Sequence, residues 1–168
     1  MPRVALDWTP FSILGGPGSL NARDTARALS EENVEIVRRA TEVFLAGVQS
    51  GDPGTVFDTD ALAYDVEWVV PQFPNPEPTL VLRGREEFVD WFRTWTEDFE
   101  DWSMEIERVI DAGGDRVVVV TQQSATGKAS GVPVELDNGV IWELKDGRMI
   151  RGTLYATSAD ALKAAGLS

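Results

Sequence analysis

The 168-residue chain contains no cysteine and no histidine, and it is short of positive charge, with 15 Lys and Arg against 28 Asp and Glu for a net charge of −13. Without thiolate or imidazole, structural zinc, blue copper, histidine-ligated haem, cysteine nucleophiles and Ser-His triads are all excluded. Disulfides are absent and not needed, because a chain of this length buries roughly two thirds of its unfolded surface in one domain. A surface this acidic repels phosphate backbones, so no nucleic-acid partner is expected. The densest acidic block runs from Glu86 to Glu107, where Arg93 is the one base, and it lacks the Asp-x-Asp-x-Asp-Gly spacing of a calcium loop. It reads as a solvated face, and neither metal nor cofactor is expected. No apolar run approaches the roughly 20 residues of a membrane span and the head of the chain lacks a leader-like apolar stretch, so a cytoplasmic protein with no membrane partner is expected. Carboxylate, hydroxyl, amide, lysine and arginine chemistry remain.

Residues 1–29 are expected to form an irregular extension, its first part broken by Pro2, Pro10, Gly15, Gly16, Pro17 and Gly18, and residues 30–168 to form the domain. Ser30 followed by Glu31 and Glu32 predicts a helix start, and Val34, Val37, Thr41, Phe44 and Val48 then recur at helical spacing until Ser50-Gly51-Asp52-Pro53. The stretch 62–70 predicts a strand with Tyr64, Val66 and Trp68 on one face. Four prolines between Pro71 and Pro78 make a stiff loop, a lid or a plain connector. Phe88, Trp91, Phe92, Trp95 and Phe99 form an aromatic stripe at helical spacing, a pattern more often core than pocket.

From Trp102 onward the period becomes two. Glycine turns at Gly113-Gly114 and Asp146-Gly147 separate strands over 117–124, 132–144 and 148–156, and Ser158 is expected to cap a last helix ended by Gly166. Helices followed by an antiparallel meander indicate an α+β fold, a curved, mostly antiparallel sheet wrapped around N-terminal helices to form a cone with an apolar pocket.

Asn138-Gly139 alone reads as a hairpin, yet a two-residue turn there would pair Glu135 with Trp142 on one face. A strand running straight through instead gathers Val132, Val134, Leu136, Asn138, Val140, Trp142 and Leu144 on one face, with Asn138 as its single polar member. A buried amide must find partners, since leaving one unsatisfied costs about 1–3 kcal/mol. On the preceding strand Val118, Val120, Gln122 and Ser124 share a face, but the odd positions are nearly as apolar and parity leaves both choices open. A bulge at Gly139 would turn Asp137 inward, where it could serve as a general acid or base.

Ser30-Glu-Glu-Asn-Val-Glu-Ile-Val-Arg-Arg, Asp65-Val-Glu-Trp-Val-Val-Pro71, Arg83-Gly-Arg-Glu-Glu-Phe88, Asp146-Gly-Arg148 and Leu154-Tyr155 together resemble the SnoaL-like branch of the nuclear transport factor 2 superfamily, over residues 30–168. The resemblance implies the cone, an apolar pocket between helices and sheet, commonly a homodimer through the outer sheet face, and a parity that turns Gln122, Ser124 and Asn138 inward. Against ketosteroid isomerases the catalytic positions fall on Phe44, Trp68 and Val140, none of which can do acid–base work, and the strand holding Gln122 and Gln123 lacks the arginine of limonene epoxide hydrolases. The members implied are therefore a cofactor-free cyclase, isomerase or hydratase, a small-ligand binding module, or a dimerisation scaffold. In the enzyme reading a planar, apolar, carbonyl-bearing substrate lies among Trp68, Trp95 and Trp142, the Gln122 and Asn138 amides hold its oxygen, and Asp137 or an acid near Asp65 and Glu67 moves the proton. Phe44, Tyr64, Trp91, Ser124 and Val140 complete the expected pocket. A small apolar molecule is the expected partner in either of the first two readings.

Overall fold

A computed structural model describes residues 21–71 and 79–167. The expectations for residues 1–20 and for a lid or connector between Pro71 and Pro78 lie largely outside those residues. The long helix α1 (Ala22–Gln49) begins eight residues before Ser30, because Asn21 Oδ1 accepts the Asp24 N–H at 2.9 Å and caps it. Ala22, Arg23, Ala26, Arg27, Ala28 and Leu29 are good helix formers, so a serine followed by two acids sits in mid-helix without marking a boundary. Residues 22–29, expected to be irregular, are thus helical. Val37 and Ala40 are buried on its inner face, and the helix stops where Gly51 adopts a φ of +92°.

A 3₁₀ turn at Thr55–Asp58 leads into β1 (Leu62–Val70), and Arg85 ties that turn to the next helix through Asp58 at 2.6 Å and Asp52 at 3.7 Å. The pairing register of β1 shifts between Leu62 and Glu67, which breaks the simple alternation and leaves Tyr64 97% exposed, away from the interior expected for it. A four-residue strand, β2 (Leu80–Arg83), was not foreseen from the sequence. It precedes α2 (Gly84–Thr96), where Glu87 reaches back to accept the Arg83 N–H at 2.6 Å. The aromatic stripe is split: Phe88, Trp91, Phe92 and Trp95 ride on α2, but Phe99 is the first residue of β3 (Phe99–Asp111).

Three hairpin-connected strands follow, β4 (Arg116–Gly127), β5 (Pro133–Lys145) and β6 (Arg148–Tyr155). The order across the sheet is β2-β1-β6-β5-β4-β3, antiparallel throughout except for the parallel β1–β6 pair. β5 runs unbroken through Asn138-Gly139, so the straight-strand reading holds. The last helix, α3 (Ser158–Ala164), is capped by Thr157, whose hydroxyl accepts the Asp160 N–H, rather than by Ser158.

The sheet is buried on both faces for part of its area. On the inner face Val117, Val119, Leu144 and Met149 pack with Val37 and Ala40 of α1. On the outer face α3 lies across β4 and β5 and buries Val118, Val120 and Ile141 with its own Ala161. Gly139 permits that docking, because a Cβ there would collide with Ala161. Further along the outer face a row of alternating charge crosses four strands: Glu143, Arg151, Glu67 and Arg83 are register neighbours, with ion pairs at 3.8, 3.2 and 3.0 Å.

Candidate functional site

The concave face of the sheet, roofed by α1 and α2, encloses a cavity of about 420 Å³. Its walls are mostly apolar and rich in aromatic rings. Phe44 from α1 and Phe88, Trp91, Phe92 and Trp95 from α2 form one side, while Trp68 of β1 and Trp142 of β5 form the facing side. The rings brace one another: Phe44 meets Phe88 and Phe92 edge-on at 5.8 and 5.3 Å, and Trp68 meets Phe88 edge-on at 5.7 Å. Trp68 and Trp142 approach to 5.5 Å and tilt by 33° over Gly152, where even a methyl group would touch both. The Trp68 Nε1 is buried in this cluster with no hydrogen-bond acceptor among the described residues.

The opposite end of the cavity is polar but uncharged. Asn138, 8% exposed, donates from Nδ2 to the backbone oxygens of Ala156 at 3.0 Å and Tyr155 at 3.4 Å. Its Oδ1 accepts from Gln123 Nε2 at 2.8 Å, and Gln123 Oε1 in turn accepts from the Trp102 indole N–H at 3.0 Å. Thr121, also lining the cavity, lies directly across from Asn138 in the β4–β5 register.

Of the residues expected in the pocket, Phe44, Trp68, Trp91, Trp95, Asn138, Val140 and Trp142 line the cavity. Tyr64 does not, for the register shift described above. Gln122 and Ser124 do not either. Residues opposite one another in an antiparallel pair share a face, and Gln122 pairs with Asp137 and Ser124 with Glu135, all on the outer side. Their neighbours Thr121 and Gln123 face inward in their place, so the amide that meets Asn138 is that of Gln123. Ser124 instead shares a 2.8 Å hydrogen bond with Ser103. The inward bulge at Gly139 is not formed, and Asp137 is exposed beyond the sheet, accepting from Ser158 Oγ at 2.7 Å. Glu67 borders the cavity, but its carboxylate is bound to Arg83 and Arg151 on the outer face.

Sequence reasoning missed Trp102, Thr121 and Gln123. Trp102 carried a usable signal, since its alternation with Met104 and Ile106 matches a half-buried strand. Gln123 carried none, because Val117 to Val120 are buried on both faces and the strand has no alternation to read.

Arranged this way, the cavity can hold an apolar body against tryptophan and phenylalanine faces and orient one polar group against an amide pair. A group free to take or give a proton is not found on the described cavity wall.

A family model for the SnoaL-like domain matches residues 41–152. No curated protein matches the sequence. Among solved structures, the chain is similar to a candidate SnoaL-like polyketide cyclase from Jannaschia sp. CCS1, with a TM-score of 0.59 and 20% identity over 82% of this chain and 93% of that one. It is also similar to TerC co-crystallised with polyporic acid, with a TM-score of 0.58 and 20% identity over 80% of this chain and 98% of that one. A hypothetical protein with a ketosteroid isomerase-like fold from Catenulispora acidiphila DSM 44928, in complex with trimethylamine, has a TM-score of 0.57 and 16% identity over 77% of this chain and 93% of that one. At these identities the likeness is one of fold.

Proposed function

The chain belongs to the SnoaL-like domain family, and on that premise we propose that it is a small-molecule pocket protein that holds a flat, largely apolar, carbonyl-bearing molecule without transforming it. The observation that carries this reading is the cavity itself. Its volume lies in the range of small-molecule sites, and its lining of ring faces closed at one end by neutral amides is what an apolar, singly polar molecule requires. A co-crystallised organic ligand in TerC, a structure of the same fold, is consistent with it.

The enzyme reading, a cofactor-free cyclase, isomerase or hydratase, needs a side chain to move a proton. Asp137 sits outside the cavity, and Glu67 has its carboxylate committed to two guanidinium groups, which favours binding over turnover. Native mass spectrometry of the purified protein tests the proposal, because it reports a co-purified ligand by mass and the oligomeric state together. Recovery of an apolar molecule that stays unchanged on incubation supports binding. Its conversion to a product restores the enzyme reading. The filling substitution Val140→Trp, on the cavity wall between Asn138 and Trp142, is expected to abolish ligand retention while leaving a folded protein. We also propose, from the family, a cytoplasmic homodimer formed through the part of the outer sheet face that α3 leaves open, around Gln122 and Ser124.

A further inference from the structure

The hydrogen-bond chain at the polar end of the cavity has two ends that fix its direction. Indole nitrogen can only donate, and a backbone carbonyl can only accept. The end of the Asn138 amide that lies 3.0 Å from Ala156 O and 3.4 Å from Tyr155 O must therefore be its NH₂ group, so its oxygen faces Gln123. Gln123 must answer that oxygen with an N–H at 2.8 Å, which turns its own oxygen toward the Trp102 indole at 3.0 Å. Trp102 and the two carbonyls agree on one orientation of both amides, and reversing either amide would set donor against donor or acceptor against acceptor.

Accounting for the hydrogens of the Trp102–Gln123–Asn138 chain then leaves one. Trp102 gives its single N–H to Gln123, and Asn138 spends both of its own on the carbonyls. Gln123 has two and spends one on Asn138. Among the described residues its second N–H meets no acceptor, and Gln123 lines the cavity. The other N–H of the lining without an acceptor, Trp68 Nε1, is buried inside the aromatic cluster, whereas Gln123 is only half-buried and its free N–H is open to an oxygen in the cavity. No lysine or arginine is among the described lining residues, so nothing there offsets the charge of an anionic ligand.

We infer that Gln123 is the specificity-determining residue of the cavity, offering one N–H to the carbonyl oxygen of an uncharged ligand, and that Trp102 is the positioning residue that holds it in that orientation. This rests on the reading of the cavity as a ligand site. Trp102 is itself set by packing, its ring edge-on to Phe92 at 5.3 Å and to Trp95 at 6.4 Å. Two rings of the aromatic wall thus also anchor the hydrogen-bond chain.

Two rigid probes of nearly equal shape test this: 9-fluorenone, which has one carbonyl, and fluorene, which has a methylene in its place. Titration calorimetry on the full chain is expected to show fluorenone bound about tenfold more tightly than fluorene, the worth of one well-placed neutral hydrogen bond. In Gln123→Glu the side chain still accepts from Trp102 but carries one hydrogen at most, which Asn138 takes, so none is left for the ligand and the preference falls to about one. Trp102→Phe keeps the ring packing and frees the Gln123 amide, and it is expected to shrink the preference even if the first variant does not fold. In ¹⁵N-edited NMR spectra the Gln123 side-chain NH₂ signals should move with fluorenone and stay with fluorene, a response a purely structural glutamine does not give. A preference kept in either variant, or Gln123 signals indifferent to the carbonyl, overturns the inference while leaving the ligand site standing. If wild-type protein binds neither probe and is indistinguishable from Val140→Trp in the same titrations, the ligand-site reading itself fails and takes the inference with it.

Discussion

Replacing Gly152 by alanine probes how the aromatic wall is built. Gly152 lies in β6 directly beside Trp142 of β5 and Trp68 of β1, and its φ is outside the left-handed region, so the substitution acts through space alone. A Cβ built there stands 2.7 and 2.8 Å from two carbons of the Trp142 ring and 2.8 Å from Cε3 of Trp68. Carbon atoms sit comfortably at about 3.5 Å or more, so the rings must retreat by roughly 0.8 Å. Trp68 is braced by Phe88 at 5.7 Å and Trp91 at 6.0 Å, so the retreat displaces that cluster or pushes the rings into the cavity they line. Overpacking of this kind costs about 1–3 kcal/mol. For a chain of this size each kcal/mol lowers the melting temperature by roughly 2–4 °C. Urea unfolding followed by tryptophan fluorescence measures the loss, and near-ultraviolet circular dichroism reports the change in the Trp68–Trp142 arrangement. A variant within about 0.5 kcal/mol of wild type with an unchanged near-ultraviolet spectrum would refute the placement of both rings over Gly152, because core overpacking does not come that cheaply.

Asn138→Ala is expected to cost about 1–3 kcal/mol in urea unfolding, since it strips the partner from Gln123 Nε2 and from the backbone oxygens of Tyr155 and Ala156. Asp137→Asn is expected to leave ligand retention in native mass spectra unchanged and stability within about 1 kcal/mol, because the residue is exposed and among the described residues its side chain bonds only Ser158. Ligand loss in that variant would put Asp137 back at the cavity. Glu67→Gln removes the anion between Arg83 and Arg151, whose side chains are 62% and 44% exposed, so its cost is expected to be about 1 kcal/mol or less and to shrink further in concentrated salt, as read by the urea midpoint.

Much of this architecture is written in local pattern. Asp146 and Gly147, with φ of +52° and +77°, make the turn their residue types announce, and the apolar even face of β5 correctly argued against a hairpin at Asn138-Gly139. The aromatic stripe of α2 was visible at helical spacing, and it serves as both core and cavity wall. Ser30 misled because a capping signature says where a helix can start, not where it does, and Asn21 lies upstream with helix formers between them. Tyr64 misled because alternation presumes an unbroken register, and β1 shifts its register after Leu62.

Sequence alone determined the α+β class, the single polar position on an apolar strand face, five of the aromatic residues that line the cavity (Phe44, Trp68, Trp91, Trp95 and Trp142) and the absence of imidazole and thiolate chemistry. Only the tertiary structure decided which amide meets Asn138 and where Asp137 points. The reason lies in α3: by burying Val118, Val120 and Ile141 on the outer face while Val117 and Val119 pack inside, it makes both faces of β4 apolar. A strand buried on two sides carries no alternation, so the choice between Gln122 and Gln123 is made by what packs behind the sheet.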